Sequence, residues 1–125
     1  MPTHQESCLK EITHEVQRAI DESGIRDGSC LVYVPHTTAG LLVNENADPS
    51  VANDLVAALE RLVPRRGSYS HAEGNAAAHI RASLIGASQC FVVSQGRLLL
   101  GTWQGIFLAE FDGPRQRHVI VSVQG

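Results

Sequence analysis

Apolar positions change their spacing along the chain, and the change outlines the elements. Val16, Ala19 and Ile20 fall at helical spacing. Thr13 is placed to cap that helix, and Gly24 to end it, since glycine accepts the left-handed conformation freely. A short strand is expected before it, near Leu9 to Ile12. "SCLVYVP", Ser29 to Pro35, is apolar and β-branched and reads as a strand. "AGLLVNE", Ala39 to Glu45, reads as another. "DPSVANDLVAALERLV" carries the clearest helical stripe, Val51, Leu55, Leu59 and Leu62 with Ala58 beside it. Asp48 suits its N-cap and Pro49 its first helical position, and Pro64 stops it. A polar loop, "RRGSYSHAEG", leads to a shorter helix, "NAAAHIRASLIG", with Asn75 as cap and Gly86 as terminator.

The last third is strand-like: "QCFVVSQ", "RLLLGTWQ", "GIFLAEFD" and "HVIVSV", separated by Gly96, Gly105 and "DGPR". "FDGPRQRHV" reads as a hairpin connection, and the four runs as an antiparallel meander. Helices and strands mixed early, then strands alone, predict an α+β fold with helices covering one sheet face. The apolar faces of the terminal strands exceed what two or three short helices can cover. A leftover sheet face is commonly buried between subunits, which predicts a homo-oligomer.

Composition narrows the class. The chain has 125 residues, 43% hydrophobic and 18% charged, as expected of one folded domain spanning residues 1–125. Net charge is −3, so no basic surplus points to nucleic acid. Arg65-Arg66, Arg115 and Arg117 read as solvated turn residues. Cys8, Cys30 and Cys90 are odd in number and form no CxxC pair, against a disulfide scaffold or a thiolate zinc knuckle. No apolar run approaches the ~20 residues that span a bilayer. No basic-then-apolar opening segment is seen, so a cytoplasmic protein without a membrane partner is expected.

Six histidines carry the candidate chemistry. His4 and His14 read as surface residues, and His118 as surface or interface. His36 lies at a strand end, His71 in the loop before the third helix, and His79 one turn inside it. Three neutral imidazoles with an open position describe a catalytic zinc-type site. Asn44, Glu45 and Glu73 can supply or support a fourth ligand. The spacing is not HExxH, so polar groups hydrogen-bonded around helix starts remain the alternative. A phosphate seat is the second chemistry: Thr37 and Thr38 hydroxyls, amides at the Gly74-Asn75 helix start, and Arg81 one turn on. Glu45 and Asp48 lie close enough to hold magnesium, though Asp48 reads first as a cap. Trp103, with Gln104 between glycines, either floors a pocket or packs in the core. No serine sits in a GxSxG elbow and no cysteine neighbours a histidine.

Three runs together, "PHTTAGLLVNENADPSVANDL", "YSHAEGNAAAHIRASLIG" and "GRLLLGTWQGIFLAEFDGPR", resemble the signature blocks of the YjbQ family, also called the secondary thiamine-phosphate synthase family. The resemblance runs from about Ile12 to the C-terminus. It departs at the N-terminus, where a short or displaced opening strand is expected. The resemblance implies a β-sandwich-like α+β core assembled as a homotrimer. It also implies a weak transferase activity joining hydroxymethylpyrimidine diphosphate to thiazole phosphate with release of pyrophosphate. His36, Glu45, His71, Glu73 and His79 would then be catalytic. Thr37, Thr38, Asn44, Gly74, Asn75, Arg81, Trp103 and Gln104 would bind a phosphorylated small molecule. His36, His71 and His79 would hold a divalent metal, zinc or magnesium. A metal-dependent hydrolase and a non-enzymatic binding module are the competing readings.

Overall fold

A computed structural model describes residues 1–71 and 74–125. Its elements run β1 (Cys8–Glu11), α1 (Thr13–Ser23), β2 (Gly28–Tyr33), β3 (Ala39–Glu45), α2 (Pro49–Leu62), α3 (Ala76–Ile85), β4 (Ser88–Ser94), β5 (Arg97–Leu98), β6 (Gln104–Glu110) and β7 (Ile120–Gln124). β6 explains the arrangement. From Gly105 to Glu110 every residue is buried, so both of its faces are covered. Ile106 and Leu108 pack in the main core with Ile12, Val32, Leu41 and Val93. Ala109, followed by Phe111, packs on the other side against Ala78 and Ala82 of α3. A strand covered on both faces reads as a continuous apolar run, as "GIFLAEF" does.

The strands form two sheets, β1-β6-β3 and β5-β4-β2-β7. Pairing within them is antiparallel throughout, with β3 on β6 from Ala39↔Glu110 to Glu45↔Gln104. The main core lies between the sheets, and α1 enters it with Val16 and Ile20, spaced i, i+4. α2 and α3 add a layer, with Leu59, Ala78 and Ala82 around Ala109 and Phe111. The α+β, sandwich-like expectation therefore holds, and the opening strand is short, four residues paired to β6.

The expected meander does not form. β4 and β5 make a hairpin, but β5 and β6 lie in different sheets, as do β6 and β7. "FDGPRQRHV" is thus a crossover between sheets. The reason lies in burial: β6 needs cover on two faces, and a neighbouring place in one sheet would leave one bare.

One expected cap is displaced, and another holds its position without a side-chain cap bond. Thr13 is inside α1, whose N-cap is Ile12. The Thr13 hydroxyl instead accepts the Ile106 amide at 2.9 Å and donates to Glu11 at 2.9 Å. Asn75 makes no side-chain cap to α3; Nδ2 donates to Asp112 Oδ2 at 2.9 Å. Asp48 behaves as expected, its Oδ1 accepting the Ser50 amide at 2.9 Å ahead of Pro49. α2 contains no fully buried residue despite its stripe, and Leu62 is 74% exposed.

Candidate functional site

The start of β3 is held by a buried charge pair. Glu110, at the end of β6, is fully buried, and Arg117 nearly so. The Arg117 guanidinium donates through Nε to Glu110 Oε1 at 2.9 Å and pairs with Oε2 through Nη2. Nη2 also donates to the Thr38 hydroxyl at 2.8 Å. The remaining acceptor capacity of Glu110 takes the Thr3 hydroxyl at 2.6 Å and the Phe111 and Asp112 amides at 3.1 Å. Burial alone would raise the Glu110 pKa, but Arg117, Thr3 and the Asp112 amide outweigh it and hold the carboxyl below its usual range.

This corrects two expectations. Arg117 is no solvated turn residue, and the Thr38 hydroxyl is committed to it rather than to a ligand. A lone glutamate inside "GIFLAEF" was the available signal, because a carboxylate buried in an apolar strand requires a partner.

Beside that pair, the backbone amide of His118 donates to Nε2 of His36 at 2.9 Å, and the two rings stack at 6.1 Å between centroids. An accepting Nε2 places the proton of the neutral ring on Nδ1. Burial, then the Arg117 and His118 charges, lower the His36 pKa. His118 is exposed, as expected of a surface residue, and also contacts His36 through its backbone amide and its ring.

Across from His36, His71 and His79 form an edge-on pair, with ring centroids 5.2 Å apart and planes at 74°. Two clefts meet at His79. One, about 470 Å³, is lined by His36, Thr37, Ala39, His79, Ser83 and Gly86, among others. The other, about 330 Å³, is lined by Tyr69, Ser70, His71, Ala76, His79 and Ile80. The end of α3 abuts β3 closely enough to fix the first cleft's floor. A Cβ on Gly40 would meet the Gly86 carbonyl oxygen at 2.6 Å, and the Leu41 amide donates to that oxygen at 2.9 Å.

His36 and His79 thus share one cleft, and His71 and His79 share the next. The three imidazoles do not surround one point. Among the described residues, no group of three or more His, Cys, Asp or Glu side chains is placed to hold a metal. Glu73 lies outside the described residues.

The other expected site residues lie away from the histidine clefts, with Gly74, Asn75 and Arg81 around one crevice. Arg81 is buried, its Nε and Nη2 holding the Val63 carbonyl at 3.0 and 2.8 Å. Its charge serves the end of α2 rather than a phosphate in the histidine clefts. Gly74 has φ +81°, a conformation that favours glycine. It and Asn75 line a narrow crevice with Arg81, Arg65, Glu6 and Asp112, so two guanidiniums and two carboxylates face one another there. The Asn75 Oδ1 is buried with no hydrogen-bond partner.

Asn44 and Glu45 end β3, opposite Gly105 and Gln104. Gln104 Oε1 accepts the Gly101 amide at 2.8 Å, and the Trp103 carbonyl accepts the Asn46 amide at 3.0 Å. Trp103 is 63% exposed, so within one chain it neither floors a pocket nor packs in the core.

Comparison with known proteins places the chain. The family described as UPF0047 protein YjbQ-like matches residues 1–125. A UPF0047 protein of Methanocaldococcus jannaschii is 50% identical over 98% of this chain and 89% of its own length. Bacillus subtilis YugU, also a UPF0047 protein, is 48% identical over 92% of this chain and 88% of its own. A Clostridium acetobutylicum crystal structure, described as an uncharacterized conserved protein of the yjbq/upf0047 family, superposes with TM-score 0.98. It is 49% identical, covering 99% of this chain and 96% of its own. A Sulfolobus solfataricus structure described as a YbjQ-like protein of unknown function gives TM-score 0.94 at 36% identity, covering 98% and 91%.

These relatives carry a family designation or a statement of unknown function, and none of them is described as a thiamine-phosphate synthase. The expected joining of pyrimidine diphosphate to thiazole phosphate is thereby overturned. No helix among the described residues is long and apolar enough to cross a membrane.

Proposed function

The chain belongs to the UPF0047 YjbQ-like family, and on that premise we propose that it is an enzyme with a divalent transition metal held by His71 and His79. The observation that carries this reading is the geometry of that pair. With Zn–N about 2.1 Å and a tetrahedral angle, two imidazoles sharing one ion have ring centroids about 5.2 Å apart. The centroids here are 5.2 Å apart. Imidazole donors favour zinc and its transition-metal neighbours over magnesium, which takes oxygen ligands. Among the described residues, His71 and His79 fit such an ion as two of its ligands.

The metal, when bound, supplies Lewis acidity. The chain's own groups do the rest. A small polar molecule lies in the cleft over His36, Thr37, His79 and Ser83. His36, kept neutral by burial and by Arg117, offers the Nδ1 proton. Thr37 and Ser83 orient the ligand through their hydroxyls.

Assembly as a homotrimer and a cytoplasmic setting belong to the same reading. They are supported by the exposed apolar face of the four-stranded sheet and by three free cysteines.

Elemental analysis of protein purified without a histidine tag, with Zn²⁺ calorimetry of the metal-stripped chain, tests the centre. About one ion per chain is expected, and its loss in the His71→Ala/His79→Ala double variant. Metal retained by that variant, or no Zn²⁺ binding by the parent chain, overturns the reading.

A further inference from the structure

Polar blocks that could serve one ligand lie at opposite ends of β3. His36 and Thr37 precede its first residue, with His79 beside them across the cleft. Asn44 and Glu45 close it, next to Gln104 and the Trp103 loop. Seven residues of strand put those ends about 20 Å apart, so one chain cannot bring them onto one small molecule. Among the described residues the two ends carry different donors. The histidine end offers two imidazoles for a metal, with no third His, Cys, Asp or Glu ligand among the described residues. The far end offers carboxylates, Glu45 and Glu11, and a tryptophan face 63% exposed to water.

A path joins the halves across the outside of the four-stranded sheet. Leu31 and Tyr33 of β2, Val92 of β4 and Ile120 of β7 point away from the core and are 42–56% exposed. Tyr33 pairs with Ile120, close in sequence to His36 and His118. At the other end the Leu99 amide donates to the Val92 carbonyl at 2.9 Å. Leu99 is 64% exposed and opens the loop that carries Trp103. The apolar strip therefore runs from the histidine end to the tryptophan loop. Imidazoles lie at one end and carboxylates at the other. A surface with different, complementary ends makes a head-to-tail contact between copies, which closes into a ring.

We propose that the site is completed by a second copy of this chain, whose Asn44, Glu45, Trp103 and Gln104 dock over His36, Thr37 and the His71–His79 pair of its neighbour. The proposal rests on the reading of the histidine clefts as the site and deepens it. Glu45 of the neighbouring copy supplies the carboxylate that turns two imidazoles into a two-histidine, one-carboxylate metal set. Trp103 of that copy covers the cleft, so the ligand is a planar polar molecule stacked on indole. The amides of Asn44 and Gln104 read its edge.

Trp103 is the single tryptophan, so its fluorescence reports directly. In the assembled full-length chain, its emission is expected to be blue-shifted and shielded from acrylamide, and to become accessible on dilution to monomer. A chain that stays monomeric, or an assembly whose tryptophan stays open to acrylamide, overturns the proposal. Mixed assemblies of co-expressed Trp103→Phe and His71→Ala/His79→Ala chains separate the two readings. In them, metal and tryptophan sit on different copies, and Cu²⁺ is expected to quench the emission. If Cu²⁺ binds the mixed assemblies without quenching, the composite site is wrong while the metal pair stands. If Trp103 is shielded on assembly but no Cu²⁺ binds the parent protein, the metal reading fails and the docking stands.

Discussion

The two ends of β3 are built on opposite terms. At its start, Thr38 leads into a network in which the Glu110 carboxylate and the Arg117 guanidinium are both satisfied by the same chain. At its finish, Asn44 and Trp103 are exposed and Glu45 is partly buried, with short-range bonds such as the Glu45 amide donating to Asn44 Oδ1. The first end is over-determined, which holds His36 and Thr37 in place whether or not a ligand is present. The second end presents apolar and acidic surface that its own chain leaves uncovered. Rigidity at one wall of a site and incompleteness at the other are what a site shared between copies requires.

The contrast is broken most severely at the buried pair. Arg117→Ala leaves Glu110 as an unpaired buried charge and is expected to cost about 3–5 kcal/mol in urea unfolding. A loss below 1 kcal/mol would show that the network is ornamental.

Acid attacks the same end more gently. The folded Glu110 pKa lies below its unfolded value near 4.3. Its contribution is therefore fully present above that pH and is lost as the pH falls through the folded pKa. Unfolding midpoints measured from pH 7 down to pH 3 should fall in that window, and Glu110→Gln should flatten the fall.

The smallest effect belongs to the far end. In the dilute monomer, Glu45→Ala and Trp103→Ala are each expected to change stability by no more than about 0.5 kcal/mol. A larger change would mean that those side chains already have partners within one chain.

Several of these features could be read from residues alone, and the reason is local. Asp48-Pro49 carries its own cap chemistry, and Gly24 ends α1 in the left-handed conformation, φ 72°. β3 matches the Ala39–Glu45 reading because its neighbours in sequence already mark both ends. Asn75 misled for the same reason. It occupies the N-cap position of α3, but its side chain is turned to Asp112, 37 residues away, to which Nδ2 donates, and Oδ1 caps nothing. The histidines at 71 and 79 were legible as a pair across a helix start. The parting of His36 from them was not, because His118 binds it from 82 residues further along the chain.

By itself the sequence determined which segments are helix and strand, that the fold is α+β, and that polar blocks worth testing exist. Periodicity, caps and glycines act within a few residues and need no partner to be read. Only the tertiary structure decided that β6 and β7 part company, that Arg117 is buried on Glu110, and that the polar blocks fall at two ends of one strand. Those outcomes depend on which faces must be covered and which charges must be paired across the whole chain. No local pattern records that choice, because the residues that settle it are distant in sequence and adjacent only once folded.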